Sequence, residues 1–365
     1  MVPAIAVADA LRDRAAEVSF LGTRERAEAQ LVPAAGYEID FLRVRGLDRR
    51  NPLRASGAVA RAAAAVPAAR RLLRERGAEV VMGGGGYVAG PAGLAALRAG
   101  LPLVLTEADS HLGLANRLLA RRARRVCLAF PIAGREEPRY LVTGRPVPRA
   151  VLDADREAAR RRFEIAPEAS CLLVFGGSQG ARSINLAAVE AFATSAVPEG
   201  SSGGEERRGF HVLHVAGRRD YPELRSALDA GPLSDYTLIE YEPDLGEVLA
   251  ASDLVLARSG GSVFEIAAAG RPALLVPYPY ATGDHQSHNA AWMADAGAAL
   301  ILTDEELTAE RLRAEVGGLL GDPGRLAAMA TASRAIAKPD AAERIADEIL
   351  AAAEAGSTAV VEAGR

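Results

Sequence analysis

Residues 175–182 read FGGSQGAR, and the apolar run CLLVF at 171–175 leads straight into them. A β-rich run, a glycine pair and the opening of a helical pattern make the joint of a parallel sheet, where a strand ends and its crossover helix begins. Residues 257–272, ARSGGSVFEIAAAGRP, repeat that joint. Working outward, short apolar runs at 211–215, 237–241, 254–257, 273–276 and 299–302 alternate with alanine- and leucine-rich helical stretches. The first half alternates in the same way, with runs at 18–21, 39–44, 80–82, 103–105 and 125–129. This predicts an α/β chain of two doubly wound parallel sheets. The seam is expected at 143–149, TGRPVPR, where two prolines and a glycine resist both helix and ladder. The expected division is 1–146 and 147–338, then a last helix at 339–356 crossing back to the first domain, then a patternless tail at 357–365. Residues 197–208, VPEGSSGGEERR, read as a solvated loop of the second domain.

Bulk properties narrow the function. The chain has 365 residues, 49% of them hydrophobic, enough for two cores. Its net charge of -4 does not call for nucleic acid as a partner. Cys127 and Cys171 are too few for a disulfide framework and read as small core residues. The alanine-rich stretch 55–73 is interrupted by Arg61, Arg70 and Arg71, so no membrane-spanning helix is expected. The start, MVPAIAVADALRDR, reads as an amphipathic helix already under way.

Five segments carry candidate chemistry. In FGGSQGAR, free N–H groups at a helix start suit a phosphate, and Ser178 adds a hydroxyl; a plain strand-to-helix turn is the competing reading. In ARSGGSVFE, Gly260 and Gly261 form the turn, and Glu265 falls on the first helical turn. There its carboxylate can accept both ribose hydroxyls or merely stabilise the helix start. In PYPYATGDHQSHNAAW, 277–292, His285, Gln286, His288 and Asn289 open a helix, and neutral amides suit sugar hydroxyls. His285 and His288 lack a third ligand, so no metal is assigned. MGGGGYVAGP, 82–91, lets backbone approach a ligand closely. TEADSHLGLANRLLARRARRV, 106–126, sets Asn116 early in a helix beside Arg117, Arg121, Arg122, Arg124 and Arg125. That cluster is a solvated face or a site for anionic lipid headgroups.

In this order, these segments resemble the MurG family. Those bacterial glycosyltransferases move N-acetylglucosamine from UDP-GlcNAc onto lipid I, forming lipid II. FLGTRERAEAQLVPAAGYEIDF at 20–41, GGYVAGPAGLAA at 85–96 and PYPYATGDHQ at 277–286 extend the match, which runs from Met1 to about residue 350. The resemblance implies a GT-B fold, two Rossmann-like domains facing a cleft, and an inverting hexosyltransferase. It implies no cofactor and no bound metal, UDP-GlcNAc being a substrate. On the donor side it places Gly177, Ser178 and Gln179 with Gly260 and Gly261 around the diphosphate, and Glu265 on the ribose. The backbone near Glu242 is placed at the uracil edge, and His285, Gln286 and Asn289 near the GlcNAc ring. Gly84, Gly85, Tyr87 and Asn116 are placed on the acceptor side, and the displaced seam arginine, Arg149, near the diphosphate. The implied partners are UDP-GlcNAc, undecaprenyl-linked lipid I and the inner-leaflet surface, with a peripheral position on the cytoplasmic face of the cell membrane. A transferase with another lipid acceptor, such as a diacylglycerol, is the alternative within the class. A non-catalytic form that binds UDP-sugar is the alternative outside it.

The chain departs from the family at several points. Thr106-Glu107-Ala108-Asp109 stands where HEQN is usual, Arg145 replaces an asparagine, and the turn before Glu265 is one residue shorter. Members begin with a strand and a GGTGGH-like loop, whereas this chain opens at Met1-Val2-Pro3-Ala4. Roughly 12–18 residues are thereby expected upstream, counting a strand and its loop. A valine start codon assigned one segment too late would account for them. That strand would be central, so two internal strand edges are expected to lack a partner. The loop histidine is the family's usual general base, so no catalytic residue is assigned.

Overall fold

The computed structural model describes residues 1–44, 52–177, 180–193, 209–228, 235–281 and 284–363; of 52–60 and 357–363 it describes the backbone alone. The expected loop at 197–208 lies outside the described residues. The chain divides into two compact units, one comprising Met1–Val147 with Lys338–Arg365, the other Pro148–Ala337.

The first unit runs α1 (Val2–Arg12), β1 (Ser19–Gly22), α2 (Glu28–Ala34), β2 (Glu38–Phe41), α3 (Pro52–Glu75), β3 (Val81–Gly83) and α4 (Gly86–Arg98). It continues with β4 (Leu103–Glu107), α5 (Leu114–Leu119), β5 (Arg125–Leu128) and β6 (Tyr140–Val142). The second runs α6 (Arg149–Asp153), α7 (Arg156–Arg162), β7 (Ser170–Phe175), α8 (Arg182–Phe192), β8 (Phe210–Val215), α9 (Tyr221–Leu228), β9 (Tyr236–Ile239) and α10 (Leu245–Ala251). It ends with β10 (Leu254–Ala257), α11 (Val263–Ala268), β11 (Ala273–Leu275), α12 (His285–Asp295), β12 (Ala299–Ile301), α13 (Ala309–Leu320) and α14 (Pro323–Ile336). The last helix, α15 (Ala341–Ala363), packs on α1 and β4 in the first unit.

Every ladder is parallel. The second unit holds one sheet in the order β12-β11-β10-β7-β8-β9. Its central strands are buried on both faces, as crossover helices on each side require; β7 and β10 are almost wholly apolar, whereas β8 carries His211 and His214. Leu172, Val174, Leu254 and Leu256 meet Ile184 of α8 and Leu312 of α13 in one core.

The first unit is broken into two sheets, β1-β2 and β3-β4-β5-β6. No ladder joins β1 to β3 among the described residues. Both covering layers nevertheless run across the break. On one face α1 packs Val7 and Leu11 with Val104 and Cys127, while its Ala8 packs with Val32 and Tyr37 beside Phe20 of β1. On the other, Leu21 of β1 and Leu42 share a core with Val81, Leu103 and Leu105. The two facing edges therefore lack ladder partners although the helices above and below them are in place.

Several elements correct the sequence reading. The run expected at 39–44 stops pairing at Phe41, and β6 was not anticipated. Three residues after a charged, proline-containing stretch carry no usable period. The tail expected to be patternless continues α15 to Ala363. Ile345, Ala346 and Ile349 anchor that helix against α1, and an anchored helix propagates through Gly356 at a cost of about 1 kcal/mol. Cys127 and Cys171 are buried and unbridged, and burial pushes both thiols up to about 12.

Candidate functional site

The second sheet winds outward from β7 through β8 to β9, then returns to β10 on the other side of β7. The loops leaving β7 and β10 therefore diverge, and such a switch point at the C-terminal strand ends is where open parallel sheets bind ligands. FGGSQGAR and RSGGS are those two loops. Those after β11 and β12 continue the same edge. Of the expected site residues, Gly177, Gly260, Gly261, Glu265, His285, Gln286 and Asn289 all lie on this row of loops and helix starts. Ser178 and Gln179 lie outside the described residues.

The FGGSQGAR turn delivers α8 with Ala181 as its N-cap, no capping side chain and no acidic residue in the first turn. Among the described residues no side chain caps this helix start, and uncapped N–H groups suit a phosphate. After β10, Glu265 stands half-buried on the first turn of α11. Phe264 stacks on Trp292, ring centroids 4.9 Å apart, which joins α11 to α12.

The start of α12 is laced to both neighbouring loops. The Ser259 hydroxyl donates to the Gln286 carbonyl at 2.8 Å, and the Tyr278 N–H donates to Gln286 Oε1 at 2.9 Å. Gln286 can therefore present its Nε2 donors to a sugar hydroxyl. Asn289 is buried, and its Nδ2 donates to the carbonyls of Ser259 and Gly260 at 3.0 and 3.3 Å. Its amide holds the glycine turn in place. His288 bonds the Asp284 carbonyl through Nδ1 at 2.9 Å.

Glu242 follows β9. Its carboxylate takes hydrogen bonds from Arg162 Nη2 at 2.6 Å and the Asp244 N–H at 3.0 Å, which shapes the backbone at that corner. Arg149 opens α6, whose Ala150 carbonyl lies against Gly246 at the start of α10. This sets the first turn of α6 against the start of α10.

Behind the FGGSQGAR turn runs a buried polar chain that sequence reasoning missed. Asn185 Nδ2 donates to the Ala216 carbonyl and to Asp220, each at 2.9 Å. Its Oδ1 must then accept from His214 Nε2 at 3.0 Å, so His214 Nδ1 accepts from the Tyr236 hydroxyl at 2.6 Å. Burial alone pushes the His214 imidazole down to about 3. The unfolded chain takes up this proton near pH 6.5 and the folded one near 3. The stabilisation is thus complete above 6.5 and falls as pH drops through that window. We expect the second unit to lose about 2 kcal/mol between pH 7 and pH 5 in urea denaturation, from about 1.4 kcal/mol per pH unit below 6.5. A flat profile over that range would refute it.

In the first unit, the expected acceptor-side residues gather at the C-terminal ends of β3 and β4. Gly84 and Gly85 lead into α4, which already includes Gly86 and Tyr87, so the glycine run ends inside a helix. Tyr87 is exposed, with the Arg26 guanidinium 4.8 Å from its ring centroid. Asn116 is 2% exposed; its Nδ2 donates to the Thr106 carbonyl and to Glu107, each at 2.9 Å. Its Oδ1 has no partner among the described residues. Glu107 organises this loop. It accepts from the N–H groups of Ala108, Asp109 and Gly113 as well as from Asn116. The TEAD departure therefore keeps the one carboxylate that builds the turn. Beside it, a cavity of ≈ 120 Å³ is lined by Met1, Pro3, Met82, Gly84, Thr106 and Glu107, among others.

Family models for the glycosyltransferase family 28 N-terminal and C-terminal domains match residues 1–128 and 171–345. A UDP-N-acetylglucosamine--N-acetylmuramyl-(pentapeptide) pyrophosphoryl-undecaprenol N-acetylglucosamine transferase of Halorhodospira halophila is 41% identical, over 94% of this chain and 92% of its own length. The chain belongs to glycosyltransferase family 28. A relative of the same name from Moorella thermoacetica is 38% identical, over 97% of this chain and 96% of its own. The crystal structure of Acinetobacter baumannii MurG superposes with a TM-score of 0.74 at 29% identity, covering 95% of each chain. The MurG resemblance and the GT-B class of two Rossmann-like parallel-sheet domains are thus borne out for this family 28 member.

Proposed function

We propose that this chain transfers GlcNAc from UDP-GlcNAc to the C4 hydroxyl of MurNAc in lipid I, forming lipid II with inversion at the anomeric carbon and without a metal. The observation that carries the donor half is the pair of glycine turns at the β7/β10 switch point, with Glu265 on the first turn after the second. The uncapped start of α8 receives the diphosphate and steadies the departing UDP, Glu265 accepts the ribose hydroxyls, and Gln286 reads the sugar. The names of the relatives support the acceptor half.

The acceptor is lipid-borne, and the first unit carries a surface suited to lipid. Leu118 of α5 is 71% exposed and Leu114 is exposed, and Arg117, Arg121, Arg122 and Arg124, within ten residues of them in the chain, are exposed as well. Basic residues at an anionic surface contribute about 1 kcal/mol each, and exposed leucines insert between headgroups. We place the enzyme peripherally at the cytoplasmic face of the cell membrane by this surface. No described helix is long and apolar enough to cross a membrane. The break between β1 and β3 favours a second reading, a protein that binds UDP-GlcNAc without turnover.

One assay separates these readings. Labelled GlcNAc transfer is measured to lipid I in anionic vesicles, to a water-soluble lipid I analogue and to diacylglycerol. Transfer to both lipid I forms is expected, with Leu118→Asp lowering only the vesicle reaction, by about tenfold. Transfer to diacylglycerol alone would overturn the acceptor. UDP-GlcNAc binding with no transfer would establish the second reading.

A further inference from the structure

Arg258 follows β10 directly and precedes the Ser259–Gly260–Gly261 turn. Its side chain is 11% exposed. Nη1 donates to Asp304 Oδ1 at 2.6 Å and to the carbonyls of Val276 and Pro277 at 3.1 and 3.2 Å. Nη2 donates to Ser183 Oγ at 2.7 Å and to Asp304 Oδ2 at 3.3 Å. The Ser183 hydroxyl donates in turn to Asp304 Oδ1 at 3.1 Å. Four loops thus converge on one planar fork. Ser183 belongs to the first turn of α8, Arg258 to the loop after β10, Val276 and Pro277 to that after β11, and Asp304 to that after β12. Because β7, β10, β11 and β12 are neighbours in the sheet, this fork spans the whole row of loops described above.

The chemistry of the fork determines what it can do. A guanidinium's bidentate grip on a carboxylate fixes orientation as well as distance. Both terminal nitrogens of Arg258 are occupied by protein acceptors, and Asp304 cancels its charge at contact distance. A phosphate reaching either terminal nitrogen would have to compete with Asp304.

We infer that Ser183, Arg258 and Asp304 form a positioning clamp that holds the start of α8 at a set distance from the RSGGS turn. The clamp thereby tunes affinity for the diphosphate portion of the nucleotide, and Arg258 is a positioning residue, not a phosphate ligand. This rests on the donor reading proposed above. Losing the clamp leaves the nucleoside contacts, which depend on Glu265 and the Glu242 corner, in place. It frees the α8 start to leave the bound geometry, so the competent population falls.

The test is calorimetry on the full chain with UDP and with uridine. Ser183→Ala and Asp304→Asn are each expected to weaken UDP binding about tenfold, the scale of one lost hydrogen bond to a charged group, with uridine affinity unchanged within about twofold. The double variant should be less than additive, since both side chains act through one guanidinium. Arg258→Lys keeps the charge but loses the fork; it should weaken UDP at least as much as Asp304→Asn, whereas a direct phosphate ligand would tolerate it better. Thermal denaturation of each variant runs alongside. A lowered Tm with an unchanged ratio of UDP to uridine affinity overturns the clamp in favour of plain stability, as does full affinity in Ser183→Ala and Asp304→Asn. Glu265→Ala separates the two levels: if it leaves UDP binding intact, the donor reading itself fails and takes the clamp with it.

Discussion

Glu265→Ala is expected to weaken UDP binding by about a hundredfold or more. The carboxylate stands on the first turn of α11, half-buried, on a helix joined to its neighbour by the Phe264–Trp292 stack. Such a carboxylate accepts two ribose hydroxyls at once, and each hydrogen bond to a charged group contributes about 1.5–3 kcal/mol. Two of them correspond to at least about 3 kcal/mol, or two orders of magnitude in Kd. Glu265→Gln retains one good acceptor without the charge and should fall between, about tenfold weaker. The same glutamate also stabilises the start of its helix, worth about 0.3–1 kcal/mol. Chemical denaturation reads that smaller effect separately. Full UDP affinity in Glu265→Ala, measured by calorimetry, would remove the donor assignment and leave only the helix-start role.

Gly180→Ala is expected to destabilise the second unit strongly, because strain and overlap add at this position. Gly180 has φ +77°, and an alanine held there costs about 1–2 kcal/mol. The added Cβ would also overlap the Ala216 carbonyl oxygen and come within 3.3 Å of Asn185 Nδ2. Neither neighbour can retreat, because that carbonyl accepts from Asn185, which His214 and Asp220 hold in turn. The expected loss is about 3–5 kcal/mol of stability, together with the UDP site. Gly177→Ala is the internal control. Its φ is +86°, but a Cβ there meets nothing within 4 Å among the described residues, so the backbone cost of about 1–2 kcal/mol is the one expected. Equal urea midpoints for the two variants would show that the overlap is relieved at no cost and that the turn is not built as described.

Much of the donor edge was legible in the sequence. Strand, glycine turn and helix start are consecutive in the chain, so FGGSQGAR and RSGGSVFE announce the joint itself. Glu265 could be placed on a first helical turn because capping and periodicity act over a few residues. Asn289 shows the limit of that reading. An amide at a helix start looks like a sugar contact, yet its Nδ2 is committed to the carbonyls of Ser259 and Gly260, 30 and 29 residues away. Glu107 shows it from the other side. A single carboxylate after a short apolar run gives no signal, and only the folded loop reveals three N–H groups and an amide converging on it.

The sequence by itself determined the α/β class, the two-part organisation, the family and the order of the loops along the second sheet. Those follow from patterns that repeat every two or three to four residues and from turns that only glycine allows, and both are local. Tertiary structure alone decided which side chains bind the loops together, and it placed between β1 and β3 the unpartnered internal edges that the sequence led one to expect. Ser183 and Asp304 are 121 residues apart, and Arg258 and Asp304 are 46 apart. A one-dimensional pattern carries no record of a partner at such a distance. The pairing of β1 with β2 and of β3 with β4, and the break between the two sheets, likewise depend on which edges the packing of α1 and α3 brings side by side.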